Sequence, residues 1–384
     1  MRVLHFLAEL KFSGAEIMYV DAAPVFQQLG CELAVVNTLE RLGEYAPFFE
    51  KAGYKVYHIP ISQNYFGQWR ERKKIMELIT DSKADVVHIH RSDLRWIVSY
   101  CAWRVGCRAV YTTHNVFRSR WFTKPLHILQ RWTADHWFGC TFQTISDSVE
   151  ANERNYYHAR TALIYNWYSN RRFFPARDGE KSEIRKSLGL PQDALVIVSV
   201  GGCSHIKRHH EAIKSMAEIL KKNPNSFYLH LGEGQTLDEE KQLAESLGIS
   251  GNVKFYGNQT DVRKFLIASD VYVMPSRFEG IPITTIEAMG TGIPTVLYNV
   301  PGLRDFNEGG VERSLLTEEN PEALASAILR LYCDKKLSSE ISERAKDFVD
   351  NKFGMQANAT KIYQLYLFDK NVSNSYRGSM SHCR

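Results

Sequence analysis

The sequence lacks any long apolar run. Although 44% of its 384 residues are hydrophobic, no stretch reaches the ~18 consecutive apolar residues a membrane helix needs. The apolar part of the opening MRVLHFLAEL is too short for a secretory signal. The expectation is a cytoplasmic protein that does not span a membrane. Paired cysteines are also lacking. The seven cysteines are scattered and form no C-x-x-C, so neither a zinc site nor a disulfide framework is read from them, and a reducing compartment is the simplest reading. There is no G-x-G-x-x-G with a following acidic residue and no P-loop, which weighs against a dinucleotide-dependent oxidoreductase or a P-loop enzyme. Nucleic-acid-binding motifs and short-period repeats are absent too.

The length predicts two domains, because single cores stop growing near ~250–300 residues. Charged residues make up 24% of the chain, which is ordinary for a globular protein. The net charge of +5 is unevenly placed: residues 67–132 hold 13 Lys and Arg against five Asp and Glu, a local +8. An anionic membrane surface or a pyrophosphate-bearing partner fits this excess. Phe117, Arg118, Arg120, Trp121, Phe122, Lys124, Arg131 and Trp132 interleave rings with cations, as a lipid headgroup region would want. An ordinary surface helix with a buried apolar stripe reads equally well from that stretch.

The most informative stretch is DVYVMPSRFEGIPITTIEAMGTGIPTV, residues 270–296. Val271–Met274 read as a buried strand, Gly280 and Pro282 as a turn with Pro282 at the first helical position, and Thr284–Met289 as the helix, stopped by Gly290 and Gly292. Glu279 precedes the helix and Glu287 lies within it. Free N–H groups at a helix start favour an anion, and carboxylates accept from sugar hydroxyls, so the arrangement suits a sugar joined to phosphate. The string P-S-x-x-E-G-x-P-x-x-x-x-E-A-M-x-x-G-x-P-x-V resembles the signature of the retaining GT-B glycosyltransferases of family four. The bland alternative is a βαβ unit with solvated glutamates.

The resemblance implies an α/β GT-B fold: two Rossmann-like domains facing each other across a cleft. The first would span 1–168 on the acceptor side and the second 169–354 on the nucleotide-sugar side. A helix over 355–370 would cross back to the first domain, and 371–384 would form a loose tail. In the first half, Val3–Ala8, Leu33–Asn37, Lys55–Ile61, Asp85–His90, Ala109–Thr113, Thr141–Ile145 and Ala162–Ile164 read as strands, with helices over Ala15–Leu29 and Gln68–Ile79. Ser13 and Gly14 sit at the first strand-to-helix corner, where a backbone approaches closely. The resemblance places that corner beside the donor phosphates and acceptor, although relatives commonly carry two glycines there. It also places His114, at the end of a strand, near the donor sugar. His88 and His90 share a strand face, and no carboxylate or cysteine at suitable spacing makes them metal ligands.

The charged stretch 166–194 reads as the connection between domains. In the second half, Leu195–Val200 form a strand. Gly201, Gly202, Ser204, Lys207 and Arg208 then lead into a helix through Leu220, an arrangement that suits a diphosphate. Relatives commonly have G-R-x-x-x-x-K here. Lys207 matches the lysine, but Gly202 stands where the arginine is expected. Ser204, Arg208 or backbone N–H groups are the candidates to replace it.

The resemblance thus implies a nucleotide diphosphate sugar donor, a UDP-sugar ahead of a GDP-sugar, and a glycan or lipid-linked oligosaccharide acceptor in cell-surface polysaccharide synthesis. Anomeric configuration would be retained. The cation- and ring-bearing segment 67–132 adds the expectation that the enzyme works at the inner face of the cell membrane. Lys207 would stabilise the leaving diphosphate, Glu279 would orient the sugar, and Glu287 would take the ribose. Gly280, Ile281, Pro282, Ile283 and Thr284 would supply the helix start against the donor. No D-x-D occurs, so no metal or other cofactor is expected. Rival readings are a sugar-nucleotide epimerase of GT-B-like fold, an NAD-dependent oxidoreductase, and a non-catalytic sugar-nucleotide binding protein.

Overall fold

The computed structural model describes residues 1–367; the expected tail at 371–384, and the last residues of the helix expected over 355–370, lie outside the described residues. The chain divides into two compact units, Met1–Tyr165 with the segment beginning at Gln356, and Asn166–Met355.

The first unit alternates strand and helix: β1 (Arg2–Leu7), α1 (Gly14–Gln28), β2 (Glu32–Asn37), α2 (Ala46–Lys51), β3 (Lys55–His58), α3 (Tyr65–Asp81), β4 (Val86–Ile89), α4 (Arg95–Arg104), β5 (Arg108–Thr113), α5 (Lys124–His136), β6 (Thr141–Thr144), α6 (Asp147–Tyr157) and β7 (Ala162–Leu163). The sheet order is β3-β2-β1-β4-β5-β6-β7, with every pair parallel. The second unit repeats the plan: α7 (Glu180–Ser187), β8 (Leu195–Val200), α8 (His209–Lys222), β9 (Ser226–Leu231), α9 (Leu237–Ser246), β10 (Val253–Phe255), α10 (Val262–Ala268), β11 (Val271–Met274), α11 (Ile283–Gly290), β12 (Thr295–Tyr298), β13 (Leu315–Thr317), α12 (Pro321–Cys333) and α13 (Lys335–Lys352). Its sheet runs β10-β9-β8-β11-β12-β13, again parallel. Helix α14 (Met355–Leu367) ends the described chain.

Both orders are doubly wound. The order in which strands are added reverses between β1 and β4 in one sheet and between β8 and β11 in the other, and ligands of open α/β sheets bind beyond the carboxyl ends of such strands. Sheets covered on both faces need continuously apolar strands. In β8 all six residues, LVIVSV, are buried, and each fully buried aliphatic side chain contributes about 1.5–3 kcal/mol. The first core joins Leu4, Phe6, Val87, Ile89, Ile97 and Phe142 across sheet and helices.

Several boundaries differ from expectation. β3 ends at His58 rather than Ile61, although the Ile59 and Ile61 N–H groups still donate to the Asn37 and Thr38 carbonyls at 3.0 Å. Pro282 is the cap before α11, with extended ψ of 123°, so the helix begins at Ile283. The stretch read as connection contains α7, which carries no apolar stripe. Its acidic first turn (Glu180, Glu183) and basic last turn (Arg185, Lys186) suit the helix dipole. Three ion pairs hold it in place: Arg185 Nη2 and Lys181 Nζ each lie 2.8 Å from Asp270, and Glu180 Oε1 lies 2.5 Å from Arg263. Asp270 also accepts from the Val196 N–H at 2.8 Å, which pins the start of β11 to β8. No described helix is long and apolar enough to cross a membrane.

Candidate active site

In the second unit the loops after β8 and β11 meet at the switch point. The chain leaves β8 through Gly201 and Gly202. The Cys203 N–H donates to the Glu233 carbonyl at 3.0 Å, and the Ser204 carbonyl accepts from the Lys207 and Arg208 N–H groups at 3.0 and 3.2 Å. Arg208 caps α8 in the left-handed region at φ 54°. Its guanidinium is engaged by Glu319 at 2.6 Å and Glu211 at 3.6 Å. The Arg277 N–H donates to the Ile206 carbonyl at 2.8 Å, joining this loop to the one after β11.

Lys207 Nζ then lies 2.7 Å from Glu279 Oε1. These residues are 72 apart in sequence. The Glu279 N–H is held by the Pro301 carbonyl at 3.1 Å. Gly302 makes that approach possible: its φ is +82°, and a Cβ there would sit 2.2 Å from the Glu279 carbonyl oxygen. On the other side Gly232 closes against the Gly201 carbonyl, 2.1 Å from where its Cβ would be.

Helix α11 starts at Ile283, so its first N–H groups have no intrahelical partner. Glu279 is four residues ahead of that start, and Glu287 sits one turn inside. Both are largely buried, at 8% and 6% exposure. Ile281 and Ile283 are buried. Asn166 Nδ2 donates to the Ile281 carbonyl at 3.4 Å, and the Thr284 hydroxyl lies 3.1 Å from the Tyr272 hydroxyl. A cation, two carboxylates and a helix N-terminus therefore converge in one unit, which is the equipment for an anion carrying hydroxyl groups. Gly202 is exposed, and a Cβ there would meet the Glu233 carbonyl at 3.2 Å.

In the first unit Ser13 caps α1 and Gly14 is its first residue. The sequence reading missed Glu16. The Ser13 hydroxyl donates to its Oε2, and burial pushes its carboxyl up to about 7. The S-x-x-E spacing of a capping box was the available signal. His114 follows β5. Its Nε2 lies 3.1 Å from His90 Nδ1, and His90 Nε2 lies 3.1 Å from His5 Nδ1. Burial pushes His114 down to about 4 and His5 to about 3. His5 was not singled out from the sequence, because only the β1–β4 register brings it beside His88.

The basic stretch of the first unit is less available than its count implies. Arg91, Arg95 and Arg131 are buried. Arg131 pairs with Glu153 through Nε at 2.6 Å and Nη2 at 2.9 Å, so it belongs to the interior and not to a headgroup-facing surface. The rings remain outside: Trp121 is 84% exposed and Trp137 62%, and Phe117, Phe122 and Trp132 are exposed with them.

The fold with its paired doubly wound units is GT-B. The solved structure of HepE from Anabaena, in complex with UDP and glucose, superposes at a TM-score of 0.81 with 19% identity, covering 95% of this chain and 99% of that one. WaaG, a glycosyltransferase of lipopolysaccharide biosynthesis, superposes at 0.70 with 16% identity over 94% and 99%. The model of glycosyl transferases group 1 matches residues 180–348 and that of glycosyltransferase family 4 matches 12–172. The chain belongs to the group 1 glycosyltransferases. Among relatives, the lipopolysaccharide core biosynthesis glycosyltransferase LpsE of Rhizobium meliloti is 32% identical over 47% of this chain and 52% of its own length. The UDP-Gal:alpha-D-GlcNAc-diphosphoundecaprenol alpha-1,3-galactosyltransferase of Escherichia coli is 25% identical over 76% and 78%.

Proposed function

We propose that this glycosyltransferase moves a sugar from a UDP-sugar to a glycan or lipid-linked oligosaccharide acceptor, with retention of anomeric configuration, in the synthesis of a cell-surface polysaccharide such as lipopolysaccharide or capsule. The observation that carries the reading is the 2.7 Å contact of Lys207 with Glu279 beside the start of α11. A donor diphosphate lying at these loops would meet the Lys207 ammonium and the free helix N–H groups. Charge grows on that diphosphate as the glycosidic bond breaks, and preorganised donors aimed at it lower the barrier. Glu279 orients the hydroxyls of the donor sugar, and Glu287 takes the nucleotide ribose. His114 serves the donor sugar, and the Ser13–Gly14 corner serves the donor phosphates and the acceptor. The names of the relatives support the donor and acceptor classes: one uses UDP-galactose on a diphosphoundecaprenol-linked sugar, and HepE holds UDP and glucose. The proposal includes independence from divalent metal, so EDTA should leave the rate unchanged.

The test is incubation with radiolabelled UDP-glucose, UDP-galactose, UDP-N-acetylglucosamine and GDP-mannose against a panel of glycan and undecaprenyl-diphosphate acceptors, with proton NMR of the product anomer. Transfer with an unchanged anomeric configuration supports the reading. Conversion of the donor sugar without acceptor points to an epimerase, and donor binding without turnover points to a binding protein.

A second element concerns place. The exposed Trp121, Phe122, Trp132 and Trp137, with Arg118 and Arg120 exposed among them, fit a surface that rests on anionic lipid. Peripheral attachment at the inner membrane face would bring the enzyme to a lipid-linked acceptor.

A further inference from the structure

Four histidines from three adjacent strands crowd one face of the first sheet. His5 lies on β1, His88 on β4, His90 just beyond β4 and His114 just beyond β5. Two of their contacts run in series: His5 Nδ1 to His90 Nε2 at 3.1 Å, and His90 Nδ1 to His114 Nε2 at 3.1 Å. Tyr19 packs its ring 4.8 Å from the centroids of both His5 and His90, which fixes the planes.

His88 stands apart from this series. Gln143 Nε2 donates to the Thr144 and Ile164 carbonyls, so its Oε1 must be the atom facing Thr112. The Thr112 hydroxyl therefore donates to Gln143 Oε1 and accepts from His88 Nε2–H at 2.7 Å. His88 Nδ1 is left to accept from the Tyr366 hydroxyl at 2.6 Å. Both nitrogens of His88 are committed, so His5, His88 and His90 do not close together on a cation.

The series has only two consistent proton arrangements, because each neutral imidazole carries one N–H. In the first, His5 Nδ1–H donates to His90, and His90 Nδ1–H donates to His114. His114 is then left with Nδ1–H as its free donor. In the second, every proton runs the other way, and His5 Nε2 carries an N–H. That atom is buried without a partner among the described residues. A buried orphan N–H is rarer in proteins than an under-satisfied acceptor, so the first arrangement is favoured. Burial holds His5 and His114 neutral at ordinary pH. The tautomer of each is therefore set by its hydrogen bonds rather than by charge.

We infer that His5 and His90 are positioning residues that lock His114 in the Nδ1–H tautomer, so that it meets the donor sugar as a hydrogen-bond donor to a sugar oxygen. This deepens the assignment of His114 to the donor sugar and rests on it. The consequence for specificity is direct. A site that donates from a fixed N–H favours a sugar with an acceptor oxygen at that position and disfavours one lacking it, since an unmatched buried polar group costs more than a satisfied one contributes.

The test uses the full chain labelled with [15N]histidine and long-range 1H–15N correlation, which reads the protonated nitrogen of each ring. The expected result is His114 protonated at Nδ1. His90→Phe should release that preference into a mixture of tautomers and lower kcat/KM about 3- to 10-fold, the worth of one neutral hydrogen bond, with whichever of UDP-glucose, UDP-galactose and UDP-N-acetylglucosamine turns over. His90→Gln should restore both readouts, since an amide oxygen can accept from His5 while its NH2 donates to His114. A merely structural histidine would not show that pairing of effects. His114 protonated at Nε2 in the wild type overturns the inference, as does an unchanged tautomer in a folded His90→Phe. Unchanged donor kinetics in His114→Ala would instead remove the sugar contact and leave the tautomer result standing.

Discussion

Replacing Lys207 with alanine tests the chemistry most directly. The Lys207 side chain is 24% exposed and that of Glu279 10%, so the ammonium works in a partly desolvated place where its field on a diphosphate is only weakly screened. A donor aimed at charge that appears in the transition state is worth about 10²–10³ in kcat, or ~2.7–4 kcal/mol. Lys207→Ala is therefore expected to lose about that factor in kcat while the dissociation constant for UDP changes much less. The contact with Glu279 adds a second expectation. Side chains that touch are coupled, by about 0.5–3 kcal/mol, because removing either one leaves the other without its partner. The Lys207→Ala, Glu279→Ala double variant should accordingly be less impaired than the product of the single losses, by about 2- to 150-fold. Single-turnover rates with radiolabelled donor measure the chemical step, calorimetry with UDP measures binding, and thermal melts check that each variant is folded. Wild-type kinetics in Lys207→Ala would refute the role of the ammonium. Strictly multiplicative losses would refute the idea that the two residues act as one unit.

Other perturbations probe the scaffold, the unusual loop and the surface. Asp270→Ala strands the buried Arg185, whose side chain is 4% exposed, and should destabilise by about 3–5 kcal/mol in denaturant melts. Although burial works to raise its pKa, Lys181 and Arg185 hold Asp270 below its ordinary value, so its contribution is present above the unfolded value of ~3.9 and fades as pH falls through the depressed folded value. The stability difference from wild type should shrink on acidification below about pH 4, and a pH-independent difference would sink this account. Gly202→Arg should tighten UDP binding, since the position is exposed and its Cβ needs only a few tenths of an ångström from the Glu233 carbonyl; weaker or unchanged binding by calorimetry argues that another group already covers that phosphate. On vesicles containing anionic lipid the protein should sediment and be released by high salt, because exposed charges are screened beyond ~8–10 Å. Replacing Arg118, Arg120 and Lys124 together should reduce this binding, and the membrane reading fails if the wild type stays in the supernatant while transferring efficiently to a water-soluble acceptor.

What the sequence revealed and what it hid divide along the range of the interactions. The strands of the second unit were legible because a parallel strand covered on both faces must be apolar throughout, as Leu195–Val200 and Val271–Met274 are. That is a property of a few neighbouring residues. The turns were legible for the same reason: Gly201–Gly202 and Gly280–Pro282 announce themselves locally. The roles of Lys207 and Glu279 at one donor came only through a resemblance, and their contact went unread, since it spans 72 residues and no local pattern encodes it. Helix α7 escaped notice because its helical character is fixed by partners 83–85 residues away, Arg263 and Asp270, and not by a stripe of its own.

Charge illustrates the limit most clearly. Counting cations over 67–132 treats every one as solvent-facing, yet Arg131 closes on Glu153, 22 residues further on. Arg95 is likewise buried, at 5% exposure. A count taken from sequence sums charges whose partners are spatial, so it overstates the field that reaches a membrane. Aromatic exposure escapes that error, because a ring left outside has no paired state to hide in. The weight of the surface argument therefore rests on Trp121, Phe122, Trp132 and Trp137, with the cations near them supplying only the salt-sensitive part of the attraction. That ordering has a measurable consequence. If the rings dominate, replacing Trp121 and Phe122 with serine should remove more vesicle binding at low salt than replacing Arg118, Arg120 and Lys124, and the reverse order would return the argument to charge.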